Sequence, residues 1–201
     1  MRQRRLDAAT CPVEARDADI LAAFGDADWL RHTLAVTGPA ARVAAFRTAA
    51  RGAAAIPWQL DLEAEEARLL APMVTEGPDA RALARLLRRA VAAHHDRVLA
   101  QVARGGACPL DLHRLVPVPE RVLALGPDDP AGDRWLWAHW GTLLPLRHVR
   151  VLDDTDRRLR RSARVTFDFH AAQWPPWQAL RRLRVDWPDL VFVMRPDYGD
   201  G

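Results

Sequence analysis

The chain has 201 residues, 49% of them apolar, with 29 basic against 26 acidic side chains and a formal net charge of +3. This is enough apolar material for one packed domain and too little charge for a polycation, and no apolar run reaches the roughly 18 residues of a membrane span. Every basic residue is arginine. The absence of lysine excludes a Walker-type phosphate loop, a Schiff-base enzyme and a protein kinase, and the single serine, Ser162, lies outside any Gly-x-Ser-x-Gly elbow.

Residues 1–28 read as a mobile lead-in, with a helical turn over Asp17–Phe24 ended by Gly25-Asp26. No apolar stretch follows Met1-Arg2-Gln3-Arg4-Arg5, so a secretory signal is not expected. Cys11 and Cys108 lie far apart, which argues against a disulfide framework and for the cytoplasm. Residues 29–198 read as a single α+β domain.

His32–Thr37 alternates, with Leu34 and Val36 on one side, and predicts a short strand stopped by Gly38-Pro39. Pro39 suits the first turn of a helix carrying Val43, Phe46 and Ala50 to a stop at Gly52. Ile56, Trp58, Leu60 and Leu62 alternate again and predict a second strand over Ile56–Leu62, at an edge because of Pro57. Residues 63–140 read as a largely helical insertion. Its strongest helix has Leu83, Leu87, Val91, Val98 and Val102 as one apolar stripe, with His94 on the stripe and His95 facing away. A break is expected around Pro72–Pro78, a short strand near Leu110–Leu115, and a helix capped by Asp129 that carries Trp135, Leu136 and Trp140.

The last third is the clearest. His148–Leu152 and Ala163–His170 alternate around a turn-rich Asp153-Asp154-Thr155-Asp156 and predict a hairpin. Val165, Phe167 and Phe169 point inward; Arg164, Thr166, Asp168 and His170 point outward. A helix with Trp177, Leu180, Leu183 and Trp187 follows, then a strand over Leu190–Met194. The order strand–helix–strand, insertion, strand–strand–helix–strand predicts a ferredoxin-like antiparallel sheet with helices on one face.

Short islands carry a family resemblance. Trp140-Gly141-Thr142 precedes the hairpin; Phe169, Trp174 and Pro176 follow it, then Trp187-Pro188-x-Leu190 and a strand ending near Tyr198. Upstream, His32–Gly38 and Leu112-x-x-Leu115-Val116-Pro117-Val118-Pro119 fit the same layout. Over residues 29–198 this order resembles the YubB-like proteins of plasmids and phages. The resemblance implies a C-terminal ferredoxin-like domain and a mobile-element setting, and it supplies no catalytic residues. The pattern departs from that family at Leu143-Leu144 and in Trp174-Pro175-Pro176-Trp177, which lacks a serine.

Three groups of residues could carry function. Arg157, Arg158, Arg160, Arg161 and Arg164 crowd one stretch, and Arg181, Arg182 and Arg184 another. With Trp174 they suggest a surface that holds nucleic acid, read against the plainer view that they are solvated charge in an arginine-rich composition. Trp140, Trp177 and Trp187 read as core, whereas Trp174 stands at a strand-to-helix junction. Asp168 and His170 share one outward strand face and could act as an acid–base pair. Neither His94-His95-Asp96 nor Cys108-x-x-Asp111-x-His113 has the spacing of a metal site, and no cofactor is expected. The leading expectation is a non-enzymatic interaction module whose partner is nucleic acid or another protein. The alternative is a small hydrolase or transferase using His170 and Asp168.

Overall fold

The structure, a computed structural model, describes residues 28–71, 78–152 and 162–197. Four strands form one antiparallel sheet: β1 (Trp29–Gly38), β2 (Arg147–Leu152), β3 (Ala163–Ala172) and β4 (Val191–Asp197). They lie side by side as β2-β3-β1-β4. Helix α1 (Ala40–Ala50) follows β1 and α7 (Trp177–Asp186) follows β3. Sequence order and spatial order together give the βαββαβ plan of a ferredoxin-like sheet, in an α+β fold. Between α1 and β2 run α2 (Leu62–Leu70), α3 (Pro78–Arg104), α4 (Leu112–Leu115), α5 (Glu120–Leu123) and α6 (Pro130–His139). No helix among the described residues is long and apolar enough to cross a membrane.

Alternation makes the sheet one-sided. Leu34, Val36, Val165, Phe167, Phe169, Phe192 and Met194 are all buried on one face, where Phe46 of α1 and Leu180 and Leu183 of α7 join them in a single core. The insertion contributes to the same core through Leu110, Leu112, Val122, Leu136 and Trp140. Arg31, Thr33, Ala35 and Thr37 of β1 pair with His170, Asp168, Thr166 and Arg164 of β3. These residues line the other face, over which no described helix packs.

Ile56–Leu62 is not a strand, which corrects the sequence expectation. Residues 56–60 are irregular, and Leu62 opens α2. Pro57 withholds a ladder donor, and Asp61 caps the helix by accepting from Glu63 N and Ala64 N. The alternation arose because Ile56 is buried and Trp58 packs against the same core. The short strand expected near Leu110–Leu115 is likewise replaced. Asp111 caps α4 by accepting from His113 N, and beside it lies an isolated bridge between Gly52 and Cys108.

In α3 the expected stripe is only partly covered. Leu83 is 48% exposed, while Ala84 and Gln101 are buried. Gln101 Nε2 donates to Ala53 O at 2.6 Å, so a polar residue rather than an apolar one anchors the end of this helix. His95 does not face away: its Nε2–H donates to Trp58 O at 2.8 Å. Gly141 ends α6 with φ 83°, a left-handed conformation that strains any L side chain, so the turn into Thr142 favours glycine.

Candidate functional site

The sheet face on which no described helix packs, here called the open face, has a floor of small side chains. Thr33, Ala35, Thr37 and Thr166 lie under a shallow hollow of about 230 Å³, bordered by Arg164, Val193 and Arg195. Short residues at these positions let a ligand approach the backbone of the two central strands, β1 and β3.

One end of the face is more elaborate. Asp168 is 1% exposed although it points to the open side. Arg31 covers it, with Nε at 2.8 Å from Oδ1 and Nη2 at 3.4 Å from Oδ2. Arg150 covers it from the other strand, with Nη2 at 3.3 Å from Oδ2. Arg31 also reaches Asp197 at 3.7 Å. A carboxylate held by two guanidiniums is an anchor that fixes their positions, and Asp168 is engaged by Arg31 and Arg150 rather than by His170.

Strand β2 slips register between Arg147 and Arg150, and His148 has φ 49°. This bulge places Arg147 opposite His170 and Arg150 opposite Asp168, so residues three apart share a face. The Arg147 guanidinium lies 4.1 Å from the centre of the Trp29 ring. The His148 ring meets the His170 ring edge-on at 5.3 Å.

Burial, followed by the charge of His148, lowers the pKa of His170 below the usual imidazole range. Its Nδ1 is buried and has no hydrogen-bond partner among the described residues. On the core face, His32 is fully buried and stacks on Phe169, and its Nδ1–H donates to Leu30 O at 2.7 Å. Burial lowers its pKa, and that of His113. Unfolded imidazoles take up protons near pH 6.5, and these three do so only at lower pH when folded. The unfolded state therefore binds more protons in that window, and stability falls as pH drops below about 6.5. Asp111, whose pKa burial raises, works in the opposite sense, its contribution being present at low pH and lost as pH rises through its folded value. Urea midpoints are expected to fall between about pH 7.5 and pH 5.5, and His32→Phe should flatten part of that slope. An equal slope in wild type and variant would show that His32 does not carry it.

The sequence-predicted residues are distributed as follows. Arg157, Arg158, Arg160 and Arg161 lie outside the described residues. Arg164 is on the open face, exposed. Arg181 is exposed on α7, and Arg184 Nη2 donates to Phe192 O at 3.1 Å. Because α7 packs on the covered side, the α7 arginines and Arg164 stand on opposite sides of the sheet and do not converge. Trp174 is 59% exposed and meets Trp137 edge-on at 6.4 Å. Trp140 is core, as the spacing predicts, but Trp177 is 43% exposed. Arg31, Arg147, Arg150, Arg195 and Trp29 were not singled out from the sequence. The alternation of β1 held a signal for Arg31, since it shares parity with Thr33 and Thr37.

Comparison with protein-family models, with curated proteins and with solved structures finds no match for this chain.

Proposed function

We propose that the chain is a non-enzymatic binding module whose open sheet face holds a single-stranded nucleic acid, acting in the cytoplasm and in the mobile-element setting that the YubB-like resemblance implies. One observation carries this reading. Arg31, Arg150, Arg164 and Arg195 stand on a single face, over which no described helix packs, against two carboxylates, Asp168 and Asp197, and Asp168 is buried beneath its arginines. Such a face attracts a polyanion. Four strands make it about 15 Å wide between outer strands, which suits one extended strand crossing a floor of threonine and alanine. Trp29 and His170 at one end offer rings on which a base can stack.

The alternative of a hydrolase or transferase using His170 with Asp168 has less support, because both Asp168 oxygens are engaged by arginine, and neither residue lines the hollow on this face.

The test is titration of labelled single-stranded and double-stranded oligonucleotides at two salt concentrations. Single strands should bind more tightly. Arg164→Gln combined with Arg195→Gln should weaken binding and reduce the log–log salt slope by about 1.4, from ~0.7 for each phosphate that the variant no longer neutralises. Exposed arginines contribute little to stability, so the double variant should melt like wild type. Absence of saturable binding at low salt would remove nucleic acid and leave a protein partner as the reading to pursue.

A further inference from the structure

Away from the open face, a hollow of about 320 Å³ lies where the end of α1, the end of α3 and α4 come together. Its volume is at the lower end of the range for small-molecule sites, and its lining is chemically one-sided. Asp111, the one carboxylate among the described residues that line it, is 4% exposed and already committed to the backbone. Its Oδ1 accepts from His113 N at 2.8 Å and its Oδ2 from Ala54 N at 3.1 Å. The second bond holds Ala54 at φ 53°. Gly52 is required beside it, since a Cβ there would collide with Asp111 Oδ2.

The remaining polar side chains of the lining are donors. Neither Arg51 nor Arg114 is ion-paired with a carboxylate among the described residues, and both are exposed at the rim. His113 Nδ1 accepts from Val118 N at 3.3 Å, so the ring proton sits on Nε2 and is available as a third donor. Burial lowers the His113 pKa, which favours the neutral ring. Val102 and Ala55 supply apolar wall.

We propose that this hollow binds a phosphate monoester, with the guanidiniums of Arg51 and Arg114 and the Nε2–H of His113 taking the phosphoryl oxygens and the organic group resting on Val102 and Ala55. Two guanidiniums against the one Asp111 carboxylate leave the lining net positive, as a phosphate anion requires, and their planar forks suit phosphoryl oxygens. The hollow exceeds the size of inorganic phosphate, so an ester with a compact organic group fills it better. The inference stands apart from the open-face reading, since the two sites share no residue.

Calorimetric titration of the full chain with phenyl phosphate, inorganic phosphate and benzoate tests it. Phenyl phosphate should bind saturably and more tightly than the other two. Arg51→Gln combined with Arg114→Gln should weaken it at least about tenfold, and Arg164→Gln with Arg195→Gln should leave it unchanged. Val102→Trp, which fills the hollow from its wall, should block phenyl phosphate while the protein still melts cooperatively. The proposal is overturned if phenyl phosphate does not bind, if benzoate binds as well, or if the Arg51/Arg114 variant binds like wild type. Loss of binding in the open-face variant would move the site to the sheet and overturn it equally.

Discussion

Phe46→Ala is expected to destabilise the protein by about 3–5 kcal/mol, the range for removing a fully buried phenylalanine. Phe46 reaches from α1 to the sheet with no exposed surface. Its ring makes edge contacts with Phe167 of β3 at 6.3 Å, Phe192 of β4 at 5.4 Å and Trp187 beyond α7 at 5.4 Å. One side chain therefore joins two strands and both sheet-packing helical segments, and alanine would leave a cavity whose walls are rings that cannot collapse independently. Urea denaturation measures the loss. A midpoint shift equivalent to less than about 1 kcal/mol would mean that this aromatic cluster is not the centre of the core.

The second large effect is at Trp140, where alanine should also cost about 3–5 kcal/mol. Trp140 is fully buried and ties three parts of the chain together. Its Nε1–H donates to Val116 O at 2.9 Å, its carbonyl accepts from Ala179 N at 3.2 Å, and its ring meets Trp135 edge-on. Trp140→Phe keeps much of the apolar contact but leaves the Val116 carbonyl without that donor, so it should cost about 1–3 kcal/mol. The order wild type, Phe, Ala in urea midpoint is the expected result. Equal loss in both variants would assign the whole effect to the hydrogen bond rather than to packing.

The parts of the fold that were readable are those where one face is apolar and the other wet. Strand β3 is the plainest case. Val165, Phe167 and Phe169 alternate with Arg164, Thr166 and Asp168, and the structure buries the first set against Leu180 and Leu183 of α7. Strand β1 was read only from His32 onward, because the adjacent apolar Trp29 and Leu30 blur the alternation that Arg31 keeps with Thr33 and Thr37. Ile56–Leu62 misled for a local reason, since an irregular segment lying on a core can bury every second residue as a strand does. The site was less accessible than the fold. Arg164, Asp168 and His170 share a face by i, i+2 spacing within one strand. Arg31, Arg150 and Arg195 join them only through pairing register with β1, β2 and β4, which local sequence does not encode. Arg147 and Arg150 are three apart, so simple alternation puts them on opposite faces. The bulge at His148 brings them together, and no residue there announces a left-handed conformation.

The position of β1 also sets the order in which the molecule can be completed. The strand nearest the start of the fold lies in the middle of the sheet, bonded on both sides to strands from its far end. The Arg31–Asp168 bond spans 137 residues of sequence. During synthesis β1 and α1 emerge before the two described strands that flank β1, and the helices α2–α6 follow before either neighbour exists. Closing so long a loop carries an entropic cost that is repaid only when β3 and β4 arrive together. An apolar strand must therefore be kept from the wrong partner while the residues between Gly38 and Ala163 are made, and β4, which follows β3 among the described strands, seals its remaining edge.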